Sequence, residues 1–308
     1  MGPFKIAVKR KVKHDSPADL AVLAVCTCLC ILFGIFCLLP LWTALVSSFT
    51  NEGVLFREGY HLWIRDFDLT SYRVIFTGTS DVLRAYLVTI ATTAGGVALT
   101  LLLTSSLAYP LTVPGLRYRN RIAFFAYFTM LFNGGLVPTY ILTTRFLQMR
   151  NSIWVLIIPG ALNAYNMFLM RNYFATIPQS LSESAKIDGA TDIRIYWSII
   201  MPLAKPILAT VGLFAAMGYW NEWYRVLLYI DKRDLFTLQF LIMRLQQQAD
   251  FLNSSISQGA RNALGNVAIP TLGVRLATAM ISIGPIVLLY PLLQKYFIKG
   301  IMIGSVKG

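Results

Sequence analysis

The residue types that most often perform chemistry are few in this sequence and do not cluster. All four cysteines lie in one apolar run: Cys26, Cys28, Cys30 and Cys37. Cys26 and Cys30 share a helix face, but a metal site would need further ligands, and that run contains no histidine or carboxylate. The two histidines, His14 and His61, lie outside the apolar runs, and the sequence shows no nucleophile–base pair and no paired carboxylates. We therefore predict no catalytic residue, no metal site and no bound cofactor, and expect a protein that is not an enzyme.

A charged stretch, "SLSESAKIDGATDIRIYWSIIMPLAKP" at residues 180–206, separates two strongly apolar runs. Ser180 followed by Glu183 forms an S-x-x-E capping box, which predicts a short helix that begins at Leu181. Gly189 is expected to end this helix, because a residue without a β-carbon readily takes the left-handed conformation that closes helices.

A second short helix is predicted directly after this turn, with Thr191 or Asp192 as its N-cap. Its apolar residues recur at i, i+3, i+4 and i+7: Ile193, Tyr196, Trp197 and Ile200. This spacing predicts an apolar stripe with both aromatic rings at a membrane interface, and Pro202 is expected to open the next apolar run. By geometry alone, the element at 178–201 fits a structural re-entry loop as well as a docking element.

The elements that must position this stretch are too apolar for a soluble globular domain. Hydrophobic residues form 56% of the 308 residues and charged residues 13%, and the mean hydropathy is +0.61. Six windows are free of charged residues: Leu20–Asn51, Ala85–Leu116, Ile122–Thr144, Asn151–Met170, Pro206–Asn221 and Leu276–Gln294. Because about 20 mainly apolar residues cross the hydrocarbon core, we predict an all-α membrane protein with six transmembrane helices.

The basic residues predict the orientation of these spans. An even number places both termini on one side, and the basic residues of segment 1–19 make that side cytoplasmic. The segments predicted to be cytoplasmic hold 15 Lys and Arg against five acids, whereas the opposite side holds 12 against nine. The net charge of +13 is therefore interpreted as an orientation signal and as contact with anionic membrane lipid. It does not indicate nucleic-acid binding, which would need basic residues clustered on a soluble domain.

The source of energy for any transport must lie outside this chain. The spans contain no ionisable residue at mid-depth, where ion-coupled carriers need one, and no phosphate-binding G-x-x-x-x-G-K-[ST] loop is present. Four prolines interrupt spans three, four and six: Pro138, Pro159, Pro285 and Pro291. Such breaks are typical of a bundle built around a pathway, although packing alone also accommodates them.

One membrane domain is predicted, from residue 20 to residue 297, between the basic segment 1–19 and a cytoplasmic tail at 298–308. A long external segment, 225–272, separates the last two spans. Within it, "LQFLIMRLQQQADFL" is predicted to be helical and "NSSISQGARNALGN" irregular.

The charged stretch resembles the EAA motif of binding-protein-dependent ABC importer permeases. In that family E-A-A is followed by three residues, a glycine, nine residues, isoleucine, one residue and L-P. The matching positions here are Glu183, Ala185, Gly189, Ile199 and Pro202, with Ser184 and Met201 as departures. The resemblance extends to "FNGGLVPTYIL", "NSIWVLIIPGALNAYNMFLMRNYF", "GYWNEWY" and "YPLLQKYFIKGIMIGSVKG". The chain is similar to maltose-type permeases of carbohydrate-uptake class 1, in the complex-oligosaccharide subgroup.

This resemblance implies a type I importer fold and a permease subunit of an ATP-driven oligosaccharide importer in a bacterial cell membrane. It implies three kinds of partner: a second homologous permease, a cytoplasmic ATPase dimer that binds ATP and magnesium, and an extracellular or lipoprotein solute-binding protein. The stretch would be the coupling helix held by the ATPase, with Glu183 meeting a basic group there. The coupling residues implied are Glu183, Ser184, Ala185, Lys186, Asp188, Gly189, Ile199 and Pro202. The alternative is a stand-alone secondary carrier of a small polar solute.

Polar and aromatic groups inside the spans are the candidates for a sugar path. The candidates are Asn163, Tyr165 and Asn166 in span four, and Tyr219, Trp220, Asn221 and Glu222 at the end of span five. The alternative for the first cluster is interhelical hydrogen bonding, and for the second an aromatic belt at the outer interface. The external segment resembles the loop of the maltose-type permease that reaches toward the binding protein. The alternative is a lid that packs on the bundle. For the tail at 298–308, the resemblance implies that it enters the interface between the two ATPase subunits. The alternative is that it lies on the membrane surface.

Overall fold

The protein is described by a computed structural model that covers residues 17–78, 81–255 and 272–283. Apart from one antiparallel bridge between Thr50 and Phe67, the regular structure in these ranges is helical. The α-helices in chain order are α1 (Pro17–Ser48), α2 (Glu52–Glu58), α3 (Thr70–Gly78), α4 (Asp81–Ala108), α5 (Arg119–Leu131), α6 (Leu136–Ile141), α7 (Trp154–Ile157), α8 (Ala164–Phe174), α9 (Gln179–Ile187), α10 (Asp192–Ile195), α11 (Met201–Leu203), α12 (Lys205–Trp220), α13 (Tyr224–Tyr229), α14 (Leu238–Ser255) and α15 (Leu272–Ile283). The all-α prediction is confirmed for these residues.

The number of spans in the described ranges is smaller than the six predicted. Two helical stretches, Leu20–Ser48 and Val82–Thr112, are long and apolar enough to cross a membrane. Two further pairs qualify only if a bent pair counts as one span: Arg119–Leu131 with Leu136–Phe146, and Asp192–Leu203 with Lys205–Trp220. The described residues thus support two to four spans, and six stays a prediction. The basic N-terminal residues, the tail at 298–308, positions 256–271 and the prolines of span six lie outside the described residues.

The bend in the third window lies before Pro138 and not at it. The axes of α5 and of the helix at Leu136–Phe146 differ by 112°, and Gly135, at the break, has a φ of +86°. Pro138 itself lies in the first turn of α6, where its missing N–H removes no intrahelical hydrogen bond. The prediction that Pro138 interrupts the span is therefore wrong, because glycine conformation produces the turn.

The fifth span likewise opens later than predicted. Pro202 lies within the short helix α11, and the chain bends by 80° at Ala204 before α12 begins. Pro206 occupies the first turn of α12, the position at which proline fits a helix. Pro206 therefore opens this span, and Pro202 does not.

The central element is α4, which packs against α8, α12 and α14. Small residues recur on α4 every four positions: Thr92, Gly96, Thr100 and Thr104. The three threonines are buried, and Gly96 lies directly against the ring of Tyr219 on α12. Small residues at this spacing let two helix backbones approach closely, which supplies packing where lipid provides no hydrophobic driving force.

Helix α1 stands apart from this bundle. All four of its cysteines are exposed and free, and of its residues 20–45 none is buried in the single chain. Burial begins at Val46, Ser47 and Ser48, at the C-terminal end of the helix. A helix that is apolar on every face needs lipid or another protein around it.

We expect Gly96→Ala to destabilise the protein, because the added methyl group would overlap the ring of Tyr219. Overpacking of this kind costs about 1–3 kcal/mol. The matched control is the neighbouring glycine: a β-carbon at Gly95 would lie 3.4 Å from Ile157 Cδ1, an ordinary contact. The melting temperature in detergent should fall for Gly96→Ala and change little for Gly95→Ala. Equal melting temperatures for both variants would contradict a close crossing of α4 and α12 at this point.

Candidate functional site

The first arm of the elbow at 178–201 is α9, and it begins at Gln179, two residues earlier than predicted. Pro178 is the residue at the cap position, and no side chain caps this helix end. Ser180 lies inside the helix, where its carbonyl accepts a bond of 2.8 Å from the Ser184 hydroxyl. The predicted capping box is therefore wrong, because proline, with its φ held near −60°, already starts the helix before Ser180.

The end of α9 confirms the role expected for Gly189. Its φ is +81°, in the left-handed region. The Ala190 N–H donates to the Ala185 carbonyl at 2.9 Å, and the Gly189 N–H donates to the Lys186 carbonyl at 3.0 Å. These two bonds form a Schellman motif, which satisfies carbonyls that the end of a helix leaves free. No atom lies within 4 Å of the place where a β-carbon would stand, so the constraint at Gly189 is its backbone conformation alone.

An ion pair joins the two arms across this turn. Lys186 Nζ lies 2.8 Å from Asp192 Oδ1, and both side chains are about half exposed. The hydrogen bond and the negative charge of Asp192 raise the pKa of Lys186. The pair therefore contributes fully to the stability of the folded protein at a pH below the pKa that the lysine has in the unfolded chain. This stabilisation is lost as the pH rises through the higher pKa of Lys186 in the folded protein. Near neutral pH it is fully present and supports the geometry that Gly189 sets.

The second arm begins as expected and then departs from the predicted stripe. Thr191, of the two candidates, caps α10: its hydroxyl accepts from the Arg194 N–H at 3.4 Å. Residues 196–200 form a π-helical turn, which shifts the buried face to Ile195, Tyr196 and Ile200. The other two members of the predicted stripe, Ile193 and Trp197, are exposed.

Tyr196 is consequently a bundle residue. Its hydroxyl lies 2.6 Å from that of Ser105 on α4, and its ring lies 5.4 Å from that of Tyr109. The two aromatic residues of the predicted stripe therefore differ, since Tyr196 packs into the bundle and Trp197 is exposed, and their depth in the membrane stays a prediction. The elbow is in this way bonded directly to the central helix.

The side chains of α9 differ in their surroundings. One face lines a cavity of about 240 Å³ against the rest of the domain, and Ser182, Glu183 and Lys186 contribute to its wall. Ile187, one helical turn after Glu183, is directed to solvent, and its exposed fraction of 87% exceeds that of the other exposed large hydrophobic residues in the described ranges. The sequence analysis missed Ile187. The signal available was an isoleucine within a helix that is otherwise polar on that side.

The remaining coupling candidates divide between surface and core. Ser184 and Asp188 are exposed beside Ile187, and Pro202 is also exposed. Ala185 and Ile199 are partly buried against the cluster that contains Met170 and Ile195, so they attach the elbow to the domain. The structure thus places Glu183, Ser184, Ala185, Lys186, Asp188 and Gly189 on one short helix and its closing turn.

The candidates of span four are organised around the start of α8. Asn163 caps this helix, since its Oδ1 accepts from the Asn166 N–H at 3.2 Å. Asn166 is buried and Tyr165 is exposed. The Asn163 side chain therefore makes an intrahelical bond, not the interhelical bond considered as the alternative. Of the three, Tyr165 presents its ring at the surface of the single chain.

The aromatic candidates of span five hold helices together. The Tyr219 hydroxyl donates to the Ile157 carbonyl at 2.8 Å, and the Trp220 Nε1 donates to the Ser282 carbonyl at 3.1 Å. Both residues are buried, with exposed fractions of 4% and 6%. Burial contradicts the alternative of a lipid-facing belt for these two residues. Contact of either with substrate stays a prediction.

The last two candidates, Asn221 and Glu222, belong to a polar node. Asn221 is exposed and accepts from the Gln239 amide at 3.2 Å. Glu222 forms an ion pair with Arg225, with Oε2 and Nη1 3.1 Å apart, and also accepts from the Arg225 N–H at 2.9 Å. Arg225 Nη1 in turn donates to the Leu156 carbonyl at 3.3 Å, beside the Pro159 break.

Gly160 makes room for that arginine. A β-carbon at Gly160 would lie 2.7 Å and 2.8 Å from the two terminal nitrogens of Arg225. The guanidinium therefore occupies the space that a side chain at residue 160 would need. It links the broken part of span four to the end of span five.

We expect Gly160→Ala to displace Arg225 and leave Glu222, which is largely buried, without its partner. Loss of such a bond costs about 1–3 kcal/mol. On an Arg225→Gln background the same change should cost much less, because the guanidinium is already absent. Gly218→Ala is the control, since open space surrounds Gly218. Thermal unfolding of the four variants measures the coupling, and additive effects of the changes at positions 160 and 225 would refute the proposed contact.

Comparison with known proteins places the chain in a family. Residues 102–303 match the family described as binding-protein-dependent transport system inner membrane component. The chain is 36% identical over 275 residues to protein LplC of Bacillus subtilis (strain 168), covering 89% of this chain and 91% of that protein. It is 36% identical over 279 residues to the polygalacturonan/rhamnogalacturonan transport system permease protein YtcP of the same organism, covering 90% of this chain and 95% of that protein.

A solved structure shows the same fold. It is a crystal structure of a bacterial ABC transporter involved in the import of the acidic polysaccharide alginate, and one of its chains superposes with a TM-score of 0.80 and 30% identity, over 92% of this chain and 98% of that one. The helical fold described above is therefore that of an ABC importer subunit. The protein belongs to the binding-protein-dependent transport system inner membrane component family.

Proposed function

We propose that the chain is one of two related permease subunits that form the translocation path of an ATP-driven oligosaccharide importer. Relatives whose names state a cargo include permeases for polygalacturonan or rhamnogalacturonan, arabinooligosaccharides, maltodextrin and galactooligosaccharides, which supports a carbohydrate substrate. In this proposal ATP hydrolysis belongs to a separate ATPase, and this chain performs no catalysis. The six-span topology with both termini in the cytoplasm is part of the proposal.

The observation that carries the proposal is the elbow at 178–201. It combines the EAA spacing with a helix closed by a Schellman motif, an ion pair across the turn and a direct bond from its second arm to α4. A force applied to α9 would therefore pass to α4 with little bending in between. This is the mechanical property that a coupling element between an ATPase and a membrane path requires.

The outer face of α9 supports contact with another protein. Ile187 and Ile193, with exposed fractions of 87% and 73%, lie on the charged elbow and outside the apolar windows. Exposed apolar residues rimmed by polar ones mark protein contact surfaces. We propose that the ATPase covers Ile187, while Glu183, at the edge of the cavity behind α9, meets a basic group of the same partner.

The substrate path is proposed to use the groups that the single chain leaves open. Of the candidates in spans four and five, Asn163, Tyr165 and Asn221 are exposed, and because Asn163 Oδ1 caps α8, Tyr165 and Asn221 are proposed to offer a ring and an amide to a sugar. The external segment, whose helix α14 spans Leu238–Ser255, is proposed to contact the solute-binding protein. The tail at 298–308 is proposed to enter the interface of the ATPase pair.

The test of the function is reconstitution. The chain is purified with the proteins that accompany it, and the complex is placed in vesicles with the solute-binding protein and labelled oligosaccharides. We expect a second permease and an ATPase in the complex and uptake that requires ATP. Uptake by this chain alone, driven by a proton or sodium gradient, would favour the secondary carrier and overturn the proposal.

We expect Gly189→Val to uncouple the importer, because a β-branched residue is strained at a φ of +81°. A β-carbon in the left-handed region costs roughly 1–2 kcal/mol, enough to reshape an exposed turn. Gly189→Asn is the control, since asparagine visits this region more readily. Oligosaccharide uptake should fall sharply for valine and be largely retained for asparagine, with both variants still assembled with the second permease. Unchanged uptake and ATP hydrolysis for Gly189→Val would refute the role of the turn.

We expect Ile187→Ser to weaken binding of the ATPase. Burying an isoleucine side chain contributes about 1.5–3 kcal/mol, so its loss should lower affinity by roughly tenfold or more. Ile187→Leu keeps the apolar contact and should bind normally. A cysteine at position 187 should crosslink to the ATPase, whereas one at Tyr196, which is buried, should not. Undiminished co-purification of the ATPase with Ile187→Ser would show that this face does not dock.

A further inference from the structure

The connection between α1 and α3 is a closed loop with a defined base. The Asn51 N–H donates to the Asp66 carbonyl and the Asp68 N–H to the Phe49 carbonyl, each at 2.9 Å. The ring of Phe49 stacks on those of Phe67 and Tyr72, with centroids 5.9 Å and 4.8 Å apart. Residues 52–65 therefore leave and return at one point, as in an Ω-loop.

The tip of this loop folds back along α1. The Trp42 indole N–H donates to the Leu62 carbonyl at 2.9 Å. Trp42 lies six residues before the end of α1 at Ser48, which is about 9 Å along the helix axis. The reversal begins at Gly59, whose φ is +78°. The tip thus lies beside the helix and not beyond its end.

The depth of Trp42 follows from the length of α1. Its membrane-compatible stretch runs from Leu20 to Ser48, and a hydrocarbon core of about 30 Å that begins at Leu20, directly after the charged Asp19, takes about 20 residues of helix, to near Leu39. Trp42 then lies in the interfacial layer, where tryptophan is enriched. The Trp42–Leu62 bond places the tip of the loop in the same layer.

The side chains of the loop suit that layer. Five large apolar or aromatic residues are exposed within residues 52–65: Phe56, Tyr60, Leu62, Trp63 and Ile64. Part of its charge is paired within the loop: Glu58 Oε2 lies 2.9 Å from Arg65 Nη1 and 3.3 Å from His61 Nε2. The tip at Leu62, Trp63 and Ile64 therefore offers an apolar surface directly beside the exposed apolar surface of α1.

We propose that this tip is a membrane anchor whose partner is the lipid interface of the leaflet at the Ser48 end of α1. A soluble binding protein would approach from the water beyond the helix end, whereas the tip lies below it. The apolar surface continues without interruption from α1, which crosses the bilayer. Because the buried residues of α1 among positions 20–48 are confined to 46–48, an anchor here would hold the outer part of α1 at a constant depth.

The test uses nitroxide spin labels on the assembled importer in lipid nanodiscs, with the four cysteines of α1 replaced by alanine. Labels are placed at Trp63, at Phe36 on the exposed face of α1, and at Lys232 in an exposed external connection. Collision rates with oxygen, which enters lipid, and with a polar nickel chelate, which stays in water, are measured at each. We expect the oxygen-to-nickel ratio at position 63 to exceed that at 232 by about threefold or more and to approach that at 36.

A label at position 63 that is as accessible to nickel as the one at 232 would place the tip in water and overturn the inference. A label shielded from both reagents would also overturn it, because the tip would then be covered by a protein partner. Trp42→Phe keeps an aromatic ring at this position but removes the indole N–H, so it should raise nickel access at position 63. No increase would refute the role of the Trp42–Leu62 bond in setting the depth. ATP-dependent uptake by each labelled complex verifies assembly and stands apart from these outcomes.

Discussion

Every backbone polar group within a membrane domain needs a hydrogen-bond partner, and this constraint organises the broken helices of the structure. The helix before Pro159 leaves carbonyls that the chain cannot satisfy locally. The Tyr219 hydroxyl binds the Ile157 carbonyl, and the Arg225 guanidinium binds the Leu156 carbonyl. Similarly, the Thr89 hydroxyl of α4 accepts the Leu238 N–H at the start of α14. The side chains that look like ligand groups in the sequence are in large part the partners of these freed backbone groups.

The same constraint explains why α4 is central. Its threonines and Gly96 let α12 approach closely, and the approach brings Tyr219 within reach of the broken part of span four. The carbonyls freed at the break are thus bonded by side chains of other helices. Bending at a break would require these bonds to be exchanged.

The shape of the elbow at 178–201 has a different physical origin. Most residues of its first arm and turn are exposed in the single chain, so the shape of this part depends on local backbone preference. The left-handed Gly189, the Schellman bonds and the Lys186–Asp192 pair all act within a few residues. The Tyr196–Ser105 contact then attaches this locally determined element to α4. The shape of the elbow therefore depends on local bonds, and its attachment to the bundle includes this tertiary contact.

The sequence by itself determined the features that depend on local chemistry. These include the all-α class, the glycine turn at Gly189 and the helix predicted over 238–252, which the structure extends to Ser255 into the stretch expected to be irregular. Each rests on hydropathy or on the conformational preference of one residue and its near neighbours, and tertiary contacts did not overrule them.

The tertiary structure decided which way side chains face. The π-turn at residues 196–200 placed Ile200 on the same buried face as Ile195 and left Trp197 exposed. Tyr219, Trp220 and Glu222 became partners of other helices, and Ile187 became an exposed apolar residue of the elbow. The physical reason is that one extra residue in a turn rotates every later side chain by a large angle. The position of a hydrogen-bond partner about 60 residues away in the chain is a property of packing that no local pattern contains.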